Sequence, residues 1–539
     1  MPWINEVTNQ PPPLLDYDVF GADAALVEGV RRHGAAAHEQ HLSDLGRRAG
    51  STEAIAWGVA ANANPPVLHT HDRYGHRIDE VEFHPSWHAL MTVATANGLH
   101  ASSWREPGPG AQVARTAGFY VWSQAEGGHG CPISMTHAAV PALRAEPQLA
   151  AEWEPRLTAY SYDPILRPAS EKTSALAGMG MTEKQGGSDV RANTTSAIPQ
   201  GDGSYLLTGH KWFTSAPMCD VFLVLAQAPE GLTCFLLPRV LPDGTRNTFR
   251  IQRLKDKLGN RSNASSEPEF EDTMAWRVGD EGRGVRTIIE MVNMTRLDCV
   301  IGTAALMRRA VAEALHHTAH RRAFGAYLVD QPLMQNVLAD LAIESEAATT
   351  LMLRLAAATD DGESALRRVA LAAGKYWVCK RGPALAAEAL ECLGGNGFVE
   401  EFPLAALYRE APLNSIWEGS GNVNALDVLR AMAREPECVA AYDAEIALAA
   451  GADPRLDAAA DRLRADLAAN GTEQVAARRL VEQMAIVLQG ALLVRFGHPA
   501  VADAFVATRL AGDWGHAFGT LPRGVDVRAV IDRATPKLG

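Results

Sequence analysis

No apolar run in the chain reaches the about 18 residues that a membrane-spanning helix needs, so none is expected. Cysteine is sparse: Cys131, Cys219, Cys234, Cys299, Cys379, Cys392 and Cys438 are scattered, odd in number, and form no C-x-x-C pair. That argues against a disulfide framework and a zinc-thiolate site, and fits reduced, mostly buried thiols in a cytoplasmic protein with no metal. Positive charge is also short. Lys and Arg total 50 against 63 Asp and Glu, a net charge of −13. This excludes coating nucleic acid with the whole surface and leaves open only a local basic patch. The opening residues Met1-Pro2-Trp3-Ile4-Asn5-Glu6 carry no basic segment followed by an apolar core, so no secretory leader is expected. Neither an internal repeat nor a low-complexity tract is present.

What remains is a globular balance: 539 residues, 47% hydrophobic and 21% charged, enough for several cored domains. Residues 1–180 read as a helical domain, punctuated by Pro11-Pro12-Pro13 and Pro65-Pro66. Over 181–280 the grammar changes to short apolar runs at 204–208, 221–225 and 233–237. Gly201-Asp202-Gly203 precedes the first, and Pro229-Glu230-Gly231 joins the other two. No helix-length pattern separates them, so a small antiparallel β-barrel fits better than a parallel sheet. From 281 to 436 the helical period returns. Ile288, Val292, Leu297, Ile301, Leu306 and Ala310 share a face, and no proline intervenes before Pro332, as in a helical bundle. The spacing of Leu480, Met484, Val487, Ala491 and Val494 makes 437–539 an additional C-terminal helical domain.

Five segments carry chemistry. Gly180-Met181-Thr182-Glu183-Lys184-Gln185-Gly186-Gly187-Ser188-Asp189 lies where helical region meets strands. Its hydroxyls and exposed N–H groups suit a ring edge and a pyrophosphate. In Lys211-Trp212-Phe213-Thr214-Ser215, Trp212 offers a flat apolar wall, although such a strand alone reads as core. Arg321-Arg322-Ala323-Phe324-Gly325, followed by Gln331, offers either a bidentate phosphate ligand or a solvated helix-end charge. Glu391-Cys392-Leu393-Gly394-Gly395-Asn396-Gly397-Phe398 is a glycine-rich turn with the wrong spacing for a dinucleotide fingerprint. Ser415-Ile416-Trp417-Glu418-Gly419-Ser420-Gly421-Asn422 sets one glutamate between tryptophan and glycine.

In this order, over roughly 130–435, the segments resemble the signatures of the acyl-CoA dehydrogenase superfamily. The resemblance implies a mainly α fold with a central β-barrel (helical domain, β-barrel, helical bundle), here with the extra C-terminal helical domain. It implies FAD as cofactor and a homotetramer. Met181 and Thr182 would meet the flavin ring, and Ser188 the diphosphate. Trp212, Phe213, Thr214 and Ser215 would line the isoalloxazine, with Thr214 near N5. Arg321, with Gln331, would reach the diphosphate of a neighbouring subunit, and Glu391, Gly394 and Gly395 its cofactor. Ser420 and Asn422 would also touch FAD. Glu418 takes the place of the catalytic base, which removes an α-proton from an acyl thioester while a hydride leaves the β-carbon for flavin N5. The backbone N–H of Glu418 and the FAD ribose would polarise the thioester carbonyl. Burial beside Trp417, Trp212 and the flavin would raise the Glu418 pKa toward working pH. Gly419, Thr295 and Arg296 fall at substrate-binding positions. Two residues depart from the pattern: Ala406 replaces a usual Lys or Arg, and Asn293 a frequent acid at the CoA site.

One branch is resembled over nearly the whole length, that of the adaptive-response flavoproteins. Asp72-Arg73-Tyr74-Gly75, Val81-Glu82-Phe83-His84-Pro85, the wording of 181–188 and the extra C-terminal region carry it. This implies binding of double-stranded DNA through the C-terminal domain, a role in the response to DNA alkylation, and weak or vestigial acyl-CoA dehydrogenase activity. A genuine metabolic acyl-CoA dehydrogenase is the alternative. Composition does not make 438–539 basic: ten Arg and one Lys face twelve Asp and Glu, a formal balance of −1. Phosphate contacts would need clustering, as at Arg478 and Arg479, or Arg523 with Arg528 and Arg533. No base-reading motif is present, so binding would be independent of sequence. Among weaker leads, His69, His71, Asp72, His76, His84 and His88 invite a metal reading, but histidine is common around loops and no metal is expected; Met135-Thr136 either line the site or pack the core, and the basic stretch 308–322 reads as a helix face paired with acids.

Overall fold

The structure, a computed structural model, describes residues 6–471 and 473–538. The chain divides into two compact units: Glu53–Ala111 with Ala125–Asp298, and Met1–Thr52 with Gln112–Gln124 and Cys299–Gly539.

The first of these holds all the described strands except a two-residue pair in the other unit, Arg322–Ala323 with Ala326–Tyr327. Within the stretch expected to be helical, a hairpin forms from β1 (Val67–His71) and β2 (Arg77–Glu82). Eight further strands follow: β3 (Ala177–Gly180), β4 (Ser196–Pro199), β5 (Ser204–His210), β6 (Thr214–Ser215), β7 (Val221–Ala228), β8 (Gly231–Pro238), β9 (Phe249–Leu254) and β10 (Ser265–Val278). β7 and β8 form a tight hairpin in register from Val221↔Pro238 to Ala228↔Gly231. β7 reads as an unbroken apolar run because it pairs on both sides, with β8 antiparallel and with β3 parallel. β10 is the spine. It pairs with β5, β6, β8 and β9, and shifts register between Phe270 and Thr273. An extra residue of this kind bends a strand and lets it change partners. The ring closes through β7, β8, β10, β5 and β4, and back to β7 at Ser196↔Gln227. Phe222, Phe249 and Phe270 stack through its core, with ring centroids 5.1 and 5.8 Å apart.

The other unit is helical. Its long elements are the end of Gly284–His320, then Pro332–Asp360, Ser364–Cys392, Gly421–Arg434, Pro436–Ala447, Pro454–Asn470 and Ala477–Phe496. Proline opens three of them, where a missing N–H costs nothing. Leu297, Ile301 and Ala310 are buried as their spacing predicts, but Arg308, Arg309 and His317 are buried too. Arg308 pairs with Asp23 and Arg309 with Glu313, so the two buried arginines that open the basic stretch are neutralised by acids.

The helices after 436 belong to this same unit and are fixed by arginine–carboxylate pairs. Glu445 receives Arg354 and Arg495, each at 2.7 Å. Arg509 lies on Asp340 and Glu344. Arg533, only 11% exposed at its side chain, bonds both Glu28 and Glu346. Among the described residues no helix is long and apolar enough to cross a membrane.

Candidate functional site

In the barrel unit, the first two signatures are stitched together. Trp212 N–H donates to the carbonyl of Thr182 at 2.8 Å. The residues beside them, Lys211 and Glu183, form an ion pair at 2.8 Å with both side chains 0% exposed. Lys211 also donates to the Leu225 carbonyl, and Glu183 accepts from the N–H groups of Thr194 and Thr195. Every charge and lone pair here is matched, which a buried pair requires. Gly187 is needed for a different reason: a Cβ there would collide with the Thr182 side chain.

Met181, Thr182 and Trp212 are half-buried, Ser188 is exposed, and Phe213 is 52% exposed. Ser215 pairs with Ser265 at the barrel rim. Lys255 sits 3.6 Å from the Trp212 ring centroid, and Lys184 and Arg253 lie within 5.8 Å of it. Thr214 is 1% exposed, yet its hydroxyl has no hydrogen-bond partner among the described residues. Buried polar groups are normally paired, so an orphan hydroxyl beside this wall fits a cofactor that completes it.

Thr295 and Arg296 are buried in the same unit, and the Thr295 hydroxyl bonds the carbonyls of Met291 and Val292. Thr136 bridges the Pro132 carbonyl and Ala177 N–H, and with Met135 belongs to the core. On the hairpin, His69 lies on Glu82 and His76 on Asp72, each at 2.9 Å. The 72–75 segment is its turn: Asp72 accepts from the N–H groups of Tyr74 and His76.

In the helical unit, Glu418 lies in the loop before Gly421–Arg434, half-buried, with φ of +57°. Gly419 follows at +94°. The loop is held from beneath. Lys375, 1% exposed on the Ser364–Cys392 helix, donates to the carbonyls of Trp417 at 2.7 Å and Gly419 at 2.5 Å. Asn424 donates to Gly419 and Ser420. The Trp417 indole donates to Asn414, which in turn donates to Thr303. Asn422 is exposed and accepts from Arg478 at 2.8 Å.

Arg321 and the glycine-rich turn share a support in this unit. Arg321 donates to the Asn9 carbonyl at 2.6 Å, and Asn396 donates to Gln10. Gln331 donates to the Ala323 carbonyl. Glu391, Gly394 and Gly395 are exposed, and a Cβ on either glycine would meet nothing within 4 Å among the described residues. Open backbone at both positions fits close approach by a ligand from outside the chain.

Of the C-terminal arginines, Arg479 pairs with Asp466 at 3.1 Å, while Arg523 is exposed and has no ion pair among the described residues. Arg533, expected beside Arg523 and Arg528, is instead consumed by its two glutamates. Composition could not show that.

Sequence reasoning passed over Lys375, Asn424 and the Lys211–Glu183 pair. A signal for Lys375 was present: a single cation in the apolar run Ala372-Ala373-Gly374-Lys375-Tyr376-Trp377-Val378-Cys379.

Residues 9–164 match the adaptive response protein AidB N-terminal domain, 178–273 the acyl-CoA dehydrogenase middle domain, and 282–433 the acyl-CoA dehydrogenase C-terminal domain. The chain is 45% identical to AidB of Escherichia coli (strain K12) over 510 residues, 94% of each chain. It is 31% identical to acyl-CoA dehydrogenase family member 11 of Caenorhabditis elegans over 422 residues, 74% of this chain and 68% of that protein. Among solved structures, C. elegans ACDH-11 in complex with C11-CoA matches with a TM-score of 0.86 at 25% identity, covering 100% of this chain and 94% of that one. The chain therefore belongs to the acyl-CoA dehydrogenase family, in its AidB branch, as an FAD-dependent oxidoreductase of the acyl-CoA dehydrogenase type.

Proposed function

We propose that this protein is an AidB-type flavoprotein of the DNA alkylation response, a cytoplasmic homotetramer that binds double-stranded DNA and keeps weak acyl-CoA dehydrogenase chemistry. The observation that carries this reading is 45% identity to E. coli AidB along 94% of both chains, a span that must include most of 437–539. Charge does not carry it, since most C-terminal arginines are paired.

In this reading Glu418 is the base. Its carboxylate takes the α-proton of the thioester, and its backbone N–H donates to the thioester carbonyl, where negative charge gathers. Gly419, Thr295 and Arg296 position that substrate. Met181, Thr182, Ser188, Trp212, Phe213, Thr214 and Ser215 hold the cofactor, together with Arg321, Gln331, Glu391, Gly394, Gly395, Ser420 and Asn422. Bound FAD supplies the hydride acceptor. The cations around Trp212 are themselves paired, Lys255 and Arg253 with Glu267 and Lys184 with Glu269, so they serve to pack the indole rather than to charge the wall. On the DNA side, Arg523 is the freest contact, and Arg478 and Arg479 must exchange Asn422 and Asp466 for phosphate.

The test is retention on duplex DNA as salt rises. The reading predicts binding of unrelated sequences, lost steeply with salt. Absence of binding at low salt, or binding indifferent to salt, would sink it. Glu418→Gln should keep FAD and lose thioester turnover; full turnover in that variant removes Glu418 from the chemistry. A second reading, a genuine metabolic acyl-CoA dehydrogenase, is favoured by one observation: the nematode structure that matches the whole chain is a complex with C11-CoA.

A further inference from the structure

Glu418 holds a left-handed backbone conformation, φ +57°, that an L-residue with a long side chain adopts only at a cost. Such strain persists where the surroundings over-determine it. Here the surroundings are identifiable. A single ammonium, Lys375 Nζ, donates to the carbonyl on each side of Glu418, at Trp417 (2.7 Å) and Gly419 (2.5 Å). Lys375 is buried on a packed helix, so the anchor itself does not move. A charged donor makes each of these bonds stronger than a neutral one would.

The consequence for the chemistry follows from peptide geometry. In a planar trans peptide the C=O and the next N–H point in opposite directions. Pinning the Trp417 carbonyl on Lys375 therefore aims the N–H of Glu418 directly away from Lys375. It also polarises that N–H, since a hydrogen bond accepted at one end of a peptide strengthens donation at the other. Asn424 steadies the Gly419 side, through the carbonyls of Gly419 at 2.5 Å and Ser420, whereas the Trp417 carbonyl is held by Lys375 and the Trp417 indole by Asn414.

We propose that Lys375 is the positioning residue of the base loop: its ammonium, bound to the Trp417 and Gly419 carbonyls, fixes the Glu418 carboxylate and orients the Glu418 N–H toward the substrate carbonyl. This rests on the reading of Glu418 as the base. The function is one of alignment, and Lys375 itself never touches substrate.

The experiment compares the FAD-loaded parent with Lys375→Met, Asn424→Ala and Glu418→Gln. Methionine matches the length of the lysine stem and keeps the helix packed. Two quantities are read: amide hydrogen exchange across 413–424, and the rate of flavin bleaching at saturating C11-CoA beside the dissociation constant for that thioester. In Lys375→Met, exchange in 413–424 should rise at least tenfold with the rest of the Ser364–Cys392 helix unchanged. Its bleaching rate should fall at least 30-fold, with the dissociation constant changed less than threefold. Asn424→Ala should loosen 419–421 and spare 417–418. Unchanged loop exchange in Lys375→Met overturns the proposal, as does bleaching at the parent rate. If Lys375→Met fails to fold, exchange at 417–418 in Asn424→Ala decides, and loosening there equal to that at 419–421 overturns it. Parent-rate bleaching in Glu418→Gln condemns the base instead, and loop exchange then still decides the role of Lys375. A thioester effect confined to affinity would mark Lys375 as structural support and likewise overturn it.

Discussion

Replacing Lys211 with methionine strands Glu183, whose side chain is fully buried in the barrel unit. Burial alone would push that carboxyl up. The Lys211 ammonium and the donors of Thr194 and Thr195 outweigh it and hold the pKa down at about 2. Against an ordinary value near 4.5, that is worth ~3 kcal/mol of folding free energy at neutral pH. Removing one partner of a buried pair independently costs ~3–5 kcal/mol. Taking ~3 kcal/mol, and about 1.4 kcal/mol per factor of ten, amides protected by barrel opening should exchange ~100-fold faster. The effect should centre on β5, β7 and residues 181–184, because Trp212 and Thr182 are bonded one residue from the pair. FAD content should fall with it. The double change Glu183→Gln with Lys211→Met removes the stranded charge and should recover part of the loss. A carboxyl depressed in the fold stabilises above its unfolded pKa, so the contribution is complete above about pH 5 and fades toward pH 2. Lys211→Met should remove Glu183's share of that acid loosening, so the gap in exchange between variant and parent should close as pH falls toward 2. Exchange altered less than threefold, with FAD retained, would refute this argument.

Thr214→Val removes a buried hydroxyl that has no partner among the described residues, so the protein without cofactor should be unchanged or slightly more stable, while FAD binds ~5–10-fold more weakly by fluorescence titration. Gly394 sits at φ +59° with open space beside it. Gly394→Ala should cost about 1 kcal/mol in stability and lower FAD retention further than that strain explains, seen by comparing melting with and without added FAD. Arg523→Ala should reduce the salt slope of DNA retention by about one without destabilising the fold. Arg533→Ala should do the reverse, costing ~3 kcal/mol through Glu28 and Glu346 with an unchanged slope.

The barrel was legible because its strands are apolar runs separated by turn residues, and β5, β7 and β8 contain the segments read from sequence. β3 was not, since Ala-Gly-Met-Gly lacks strand composition and its partner lies 44 residues on at Val221. The β1–β2 hairpin lies in a region that reads as mostly helical, and its short strands are rich in histidine and charged residues, which lack strand composition. At the site, residue types and order pointed to a flavin, and the comparisons place the chain in the family that order suggested. Pairings across 28 residues, as for Glu183 and Lys211, or 42, as for Lys375 and Trp417, have no sequence periodicity to betray them. Charge counts likewise cannot separate an arginine held between two glutamates from one facing solvent, as Arg533 and Arg523 show.

The most direct test of the central claim is an anaerobic absorbance titration of the yellow protein with acyl-CoAs of graded chain length, C11-CoA among them. An AidB-type protein with residual thioester chemistry predicts slow, incomplete bleaching of tightly bound FAD, absent in Glu418→Gln. Rapid stoichiometric bleaching by one chain length would contradict that account and make the protein a working metabolic dehydrogenase.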